Sequence, residues 1–250
     1  MGLFRRIQVQ ALAALACSVA ALPATADDRP FHLGLLGINT GTTIPADVGF
    51  AAISLTNQRD PINSDGDGTA VFGYGFGDPV AAVGGQVSLN ITSLTDDFGD
   101  SGYLALKFSR QLAAGSAPVY GSLEFGQLAN WGDDDGRDVT TSLTFTRFSQ
   151  IDRGPGRQAL PVMMSLGAGS HLRNGDTDPA VFGGIGVGIS PSTALSIAWT
   201  GDDLTVGGSF KIAGAENLAI GIGIDDATDR NDNRRLVVSF GYRFDNLFGG

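Results

Sequence analysis

The chain has 250 residues, a formal net charge of -10 and a charged fraction of 17%. Only two of its 26 acidic residues are Glu, and Gly fills 37 positions. The negative charge argues against a nucleic-acid partner, because few cations are available to neutralise phosphates. The scarcity of Glu and Lys disfavours a helical protein, and the length fits one domain.

Residues 1–26 have the features of a secretory signal peptide. Arg5 and Arg6 form a positive start, residues 7–21 form an apolar stretch, and residues 24–26 offer a small-residue cleavage site. A spanning helix needs about 20 apolar residues, which is more than this stretch has. The sequence therefore predicts export and cleavage after Ala26, with an uncleaved anchor as the alternative.

The only cysteine, Cys17, lies within this leader, so the mature chain has no thiol for a disulfide or a metal site. Residues 27–47 show no clear periodicity. Three interpretations stay open for them: a periplasmic segment, a plug inside a barrel, or an irregular first strand. Residues 48–250 are predicted to form a β-barrel domain.

From residue 48 onward, apolar residues alternate with small or polar ones. Val181, Ile185 and Ile189 fall on one face of a strand, for example, with Gly184 and Gly186 on the other. This pattern predicts an all-β fold, an antiparallel up-and-down transmembrane β-barrel of about 12 strands. The predicted strands are 48–56, 69–77, 80–92, 102–111, 118–129, 139–149, 160–172, 180–190, 193–200, 204–213, 217–225 and 234–244.

The connections between these strands fall alternately into two sets. One set contains 17 of the 24 aspartates, and alternate connections of a meander lie at the same end. The sequence therefore predicts an acidic external rim at one end of the barrel. Its main members are Asp65, Asp67, Asp96, Asp97, Asp133, Asp134, Asp135, Asp202 and Asp203.

The second face of each strand carries Gly, Ser, Thr and Ala rather than the charged residues typical of water-exposed sheets. Such a face suits the lumen of a barrel whose apolar face contacts lipid, and the predicted strand and loop lengths also match. Aromatic residues near strand ends, including Tyr103, Tyr120 and Phe148, are then predicted to form girdles at the lipid interface. A soluble barrel or sandwich with its apolar faces turned inward is the alternative.

The last predicted strand reads Leu236-Val237-Val238-Ser239-Phe240-Gly241-Tyr242-Arg243-Phe244, and six residues follow its final aromatic residue. With this strand, the pattern over residues 48–244 resembles the outer-membrane β-barrel class of Gram-negative-type bacteria. The resemblance implies outer-membrane localisation, with outer-membrane lipid and the barrel assembly machinery as partners. The periplasm is the alternative location.

Four charged residues fall on the small-residue faces and are candidate lumen charges: Lys107, Glu124, Lys211 and Arg243. Pairing of neighbouring strands across residues 112–117 brings Lys107 and Glu124 nearly opposite each other. The pair is predicted either to narrow the lumen and select solutes or to act as a structural cross-strand contact.

Asn63, Asp65 and Asp67 have the spacing that opens a calcium-binding loop, but the bidentate Glu and the flanking helices are missing. A solvated turn is therefore the favoured interpretation. No cofactor is predicted apart from weak Ca²⁺ or Mg²⁺ binding at the acidic loops. His171 falls on the lumen face near the acidic rim, where a hydrolase could use it, although no nucleophile motif supports such an enzyme.

These observations predict a small pore or a structural surface protein. If it conducts, cations are favoured, because acidic rings at pore mouths attract them. Small ions or solutes are then its further partners. Two alternatives remain: a soluble periplasmic β protein that binds a ligand or partner, and an outer-membrane hydrolase that uses His171.

Overall fold

The computed structural model describes residues 32–57, 67–94, 97–172, 178–231 and 234–248. Twelve antiparallel strands form a closed barrel in which each strand pairs with its sequence neighbours and β1 pairs with β12. The strands are β1 (Gly49–Thr56), β2 (Asp67–Gly77), β3 (Gly84–Ile91), β4 (Gly102–Ala113), β5 (Val119–Trp131), β6 (Thr140–Ile151), β7 (Leu160–Gly169), β8 (Ala180–Ser190), β9 (Thr193–Trp199), β10 (Leu204–Ile212), β11 (Ala215–Asp225) and β12 (Arg235–Phe244). The predicted barrel is confirmed, and every strand bound lies within four residues of its prediction.

Most of the apolar side chains of the strands point away from the barrel axis. In β6, Leu143 and Phe145 are 48% and 43% exposed. The residues that alternate with them, Thr144 and Thr146, are almost fully buried. Side chains alternate between the two faces of a strand, so the sequence pattern alone produces this division. The outer wall is therefore apolar and the inner wall is built mainly from small and hydroxyl-bearing residues.

The two ends of the barrel differ in their connections. Residues 57–66, 92–101, 132–139, 170–179, 200–203 and 226–234 connect strands at one end, called the loop end. The turn end carries residues 78–83, 114–118, 152–159, 191–192 and 213–214, and β1 begins there. In the part of the chain that is described, no helix has the length and apolar character to cross a membrane.

Residues 32–47, called the lumen segment, run inside the barrel before β1 begins. At the turn end, the backbone N of His32 donates a hydrogen bond of 3.1 Å to the backbone O of Ser190. The segment then rises to Gly37, which packs against Thr205 near the loop end, and returns to the turn end at Asp47. The segment thus crosses the interior twice and fills part of the space that the small wall residues leave open.

Three aromatic residues lie inside the barrel and not at its outer surface. Tyr103, Tyr120 and Phe148 are 8%, 6% and 7% exposed, so the girdle prediction is wrong for them. For Tyr120 and Phe148 the physical reason is that the lumen segment supplies apolar partners within the lumen, whereas Tyr103 lines a polar space beside the segment. Tyr242 and Phe244, in contrast, are exposed on the outer face of β12 near the turn end.

We expect Gly186→Ala in β8 to displace the lumen segment. A β-carbon at position 186 would lie 2.2 Å from the backbone carbonyl oxygen of Gly34, so the segment must move, whereas the extended strand accepts alanine. Chymotrypsin should then cleave the folded protein near Leu35 faster than it cleaves the wild type. Gly183→Ala, on the outer face of the same strand, is the matched control and should leave cleavage unchanged. Equal protection of both variants would contradict this packing.

Candidate functional site

Hydroxyl groups of the barrel wall hold the backbone of the lumen segment. An irregular segment has no sheet partner, and a buried backbone N–H without an acceptor costs free energy. Ser and Thr side chains on the inner wall supply these acceptors. The donor and acceptor pairs are Leu36 N with Ser196 Oγ (3.2 Å), Gly41 N with Thr146 Oγ1 (2.7 Å) and Thr43 N with Ser109 Oγ (3.1 Å). The sequence-level bias toward hydroxyl residues on this face therefore has a structural role.

An apolar cluster fixes one side of the lumen segment. It contains three aliphatic side chains of the segment, each at most 3% exposed, and five residues of the wall: Leu33, Leu35 and Ile38 with Tyr120, Phe148, Met163, Phe182 and Ala198. Burial of an aliphatic side chain stabilises by about 1.5–3 kcal/mol. The cluster therefore stabilises the position of the lumen segment inside the barrel.

A polar cavity of about 120 Å³ remains on the other side of the lumen. Its wall comes from β3 to β6 and from residues 170–172, which follow β7, and its inner border comes from the lumen segment at Asn39. Amide and hydroxyl groups dominate the lining. Among the described lining residues, Lys107 and Glu124 are the only pair of opposite charge. This cavity is the candidate functional site.

Lys107 and Glu124 face each other across paired strands β4 and β5. Lys107 Nζ lies 3.6 Å from Glu124 Oε2, which is longer than a direct hydrogen bond. The lysine side chain is 8% exposed and the glutamate side chain is 24% exposed, so the carboxylate is the more accessible partner. The pair leaves the cavity with nearly balanced charge.

The other two candidate lumen charges lie away from this cavity, toward the turn end. Lys211 sits beside the 191–192 turn, where its backbone N donates to Ser192 O (2.8 Å). Arg243 forms an ion pair with Asp245, with Nε 3.0 Å from Oδ1. The structure therefore brings together Lys107 and Glu124 but separates them from Lys211 and Arg243.

Strand β5 is irregular where it borders the cavity. Leu104 pairs with Leu128 and Leu106 pairs with Phe125, so β5 holds one more residue than β4 in this interval. This β-bulge places Gln127 at a φ of 56°, in the left-handed region, and buries its side chain to 4% exposure. The Oε1 atom of Gln127 is buried and has no hydrogen-bond partner within the described protein. The residue lines the cavity.

A buried ion pair that the sequence analysis missed lies on the inner wall near the loop end. Arg235 Nη2 lies 2.6 Å from Asp225 Oδ2, and both side chains are at most 3% exposed. Thr205 Oγ1 donates to the other carboxylate oxygen at 2.7 Å. The sequence does contain a signal for this pair. Asp225 follows Gly221 and Gly223 at the alternate positions of β11 that face the lumen.

The predicted rim residues fall into exposed and buried groups. Asp97, Asp133 and Asp135 are exposed, whereas Asp134 and Asp203 are 1% and 3% exposed. Asp202 is half-buried. Asp65, Asp96 and the side chain of Asp67 lie outside the described residues.

The buried aspartates hold loops together. Asp134 accepts a hydrogen bond from the Thr92 hydroxyl and pairs with Arg137 (3.0 Å), and Asp203 accepts a hydrogen bond from the Asn231 amide. Burial raises the pKa of Asp203, and a smaller effect of neighbouring carboxylates acts in the same direction, against the hydrogen bond from Asn231. Because its folded-state pKa is raised, ionised Asp203 lowers stability near neutral pH, and this cost falls as the pH approaches its folded pKa from above.

His171 borders the cavity at the loop end. Its Nε2 lies 4.0 Å from Asp138 Oδ2, and its Nδ1 is buried without a hydrogen-bond partner in the described protein. The hydroxyl of neighbouring Ser170 accepts a hydrogen bond from the backbone N of Thr141 (3.0 Å), which ties two loop-end residues together. The geometry thus gives His171 a carboxylate neighbour and places the residue in the cavity lining.

The residues of the predicted weak calcium site lie outside the described part of the chain, namely Asn63, Asp65 and the side chain of Asp67. Within the described ranges, no three His, Cys, Asp or Glu side chains converge in the way that a metal ion requires.

Comparison with solved structures finds similar chains, whereas comparison with known sequences finds none. No protein-family model and no curated protein sequence matches the chain. The solved structure of the outer membrane protein Omp33 of Acinetobacter baumannii is similar, with 16% sequence identity and a TM-score of 0.46. The likeness covers 78% of this chain and 97% of Omp33.

We expect Arg235→Ala to destabilise the barrel by about 3–5 kcal/mol, because the substitution leaves the buried Asp225 carboxylate without its counter-ion. The midpoint of urea unfolding, followed by tryptophan fluorescence in detergent or lipid, measures this effect. Arg234→Ala is the matched control, since the ion pair of Arg234 with Asp229 is 3.7 Å long and about half exposed. The control should cost about 0–1 kcal/mol. Similar midpoints for the two variants would contradict a stabilising role for the buried pair.

Proposed function

We propose that the protein is an outer-membrane β-barrel that acts as a small pore, closed at rest by the lumen segment. Support for a lipid environment comes from the outer wall. Apolar residues such as Ile53, Phe72 and Leu195 are 43–50% exposed on three different strands. A soluble monomer rarely exposes contiguous apolar surface on this scale. The soluble alternative requires the apolar faces to turn inward, and they turn outward.

Strand length also supports the lipid environment. Strands of about ten residues with ~3.3 Å rise per residue and ~40° tilt span roughly 25 Å, the height of the apolar band of bacterial barrels. Membrane barrels of this kind have short periplasmic turns and longer external loops. By this comparison the turn end faces the periplasm, and the lumen segment enters from there.

The observation that carries the pore proposal is the way in which the lumen segment is held. The wall that contacts it offers hydroxyl groups, which bind water as well as they bind backbone N–H groups. Departure of the segment would therefore free these hydroxyl groups to bind water, beside the apolar wall residues of the cluster. Its docking is reversible in principle, since no covalent bond joins Leu33, Gly41 or Thr43 to the wall.

The proposed closing contact is testable with a reversible cross-link. Thr43 Oγ1 and Ser109 Oγ are 2.8 Å apart, so cysteines at both positions are placed for a disulfide. In a chain expressed from residue 27, they are the only cysteines. We expect Thr43→Cys/Ser109→Cys to show no channel openings in planar bilayers when oxidised, and wild-type openings after reduction with dithiothreitol.

Thr43→Cys alone is the control and should not respond to dithiothreitol. A second variant without residues 32–44 should conduct continuously, because the wall hydroxyls are then free to bind water. Absence of current in the wild type, in the reduced variant and in the deletion variant would overturn the pore and leave a structural barrel.

We further propose that the open pore favours cations. The exposed carboxylates of Asp133 and Asp135 lie at the loop end, where they raise the local concentration of cations. Asp133→Asn/Asp135→Asn should shift the reversal potential in a salt gradient toward zero. Asp152→Asn, in a turn at the opposite end, is the control for an exposed aspartate. An unchanged reversal potential for the double variant would count against selection at this end.

A further inference from the structure

The cavity beside the lumen segment contains a buried acceptor that the fold itself does not use. Gln127 is 4% exposed, and its Oε1 atom has no hydrogen-bond partner within the described protein. Burial of a polar atom without a hydrogen-bond partner lowers the stability of the fold. Gln127 also lines the cavity, so rotation of its side chain toward the cavity would let a solute there donate a hydrogen bond to this oxygen.

The backbone is distorted at the position of this acceptor. Regular pairing of β4 and β5 would not need an extra residue between Phe125 and Leu128, yet β5 carries one there. Gln127 and Ala129 both adopt left-handed φ angles, 56° and 46°, which are unfavourable for residues other than Gly. Bulges re-aim side chains next to functional sites. Here the bulge brings Gln127 to the same cavity wall as Glu124, three positions earlier.

The charges at the cavity define which solutes fit. Glu124 Oε and Gln127 Oε1 are two acceptors on β5, suited to an ammonium group, and Lys107 Nζ on β4 is a donor suited to a carboxylate. The Lys107–Glu124 contact of 3.6 Å leaves both charges without a close direct hydrogen bond to each other. A singly charged solute would leave one of the two charges unbalanced, whereas a zwitterion with its own opposite charges matches both.

We propose that this cavity binds a small zwitterionic amino acid, with its ammonium group at Glu124 and Gln127 and its carboxylate at Lys107. The volume of about 120 Å³ restricts the occupant to a small solute. This proposal extends the proposed pore function, because it names a class of solute for the lumen. It rests on that function, because the solute must enter the lumen to reach the cavity.

Isothermal titration calorimetry on the folded protein in detergent micelles tests the site without any need for conduction. We expect saturable binding of L-alanine and glycine, and no saturable binding of lactate, ethylammonium or glycerol. Gln127→Asn should weaken alanine binding by about tenfold or more, because asparagine accepts the left-handed backbone but withdraws the acceptor by one methylene. Glu124→Gln should weaken it to a similar degree.

Gln150→Asn is the matched control, because Gln150 lies exposed near the turn end of β6, and it should bind alanine as the wild type does. The heat-dependent gel mobility of each variant checks that it is folded. If Glu124→Gln does not fold, the affinity of Gln127→Asn for alanine alone tests the site. No saturable binding of either amino acid would overturn the site, as would equal binding of lactate or ethylammonium, or unchanged affinity in Gln127→Asn. The cross-linking experiment on the pore does not depend on amino-acid binding, so the two proposals fail separately.

Discussion

The structure depends on one geometric constraint, which is that a closed barrel of this size encloses more space than its own small inner side chains can fill. Twelve strands about 4.8 Å apart and tilted by ~40° form a backbone cylinder roughly 24 Å across. The inner wall carries mainly Gly, Ala, Ser and Thr. The remaining space must hold water or other protein, and the lumen segment takes part of it.

The lumen segment divides the interior into two unlike halves. On one side, Leu33, Leu35 and Ile38 meet inward aromatic residues and form the apolar cluster, which is the nearest feature to a conventional core. On the other side, the wall presents amides, hydroxyls and the Lys107–Glu124 pair to a polar cavity. The first half holds the segment in place by burial, and the second leaves room for a solute.

Charged residues serve different purposes at different heights of the barrel. The Asp225–Arg235 pair and the buried Asp134 and Asp203 bind strand ends and loops to each other near the loop end. The exposed Asp133 belongs to the same end but keeps its carboxylate in water. The abundance of aspartate in these connections therefore combines loop stabilisation with surface charge, and composition alone does not separate the two.

The amino-acid pattern is sufficient to predict the strand number, the antiparallel order, the apolar face of each strand and the placement of Lys107 opposite Glu124. These features follow from period-two alternation and turn residues, which are local along the chain. Three features become apparent only in the folded barrel: the lumen segment lies inside it, Tyr120 and Phe148 pack against that segment, and a bulge places Gln127 in the cavity lining. Each of these depends on contacts between residues distant in sequence, such as Gly41 with Thr146, and on an extra residue in one strand of a pair. Alternation along one strand carries no information about what fills the space that the closed sheet encloses.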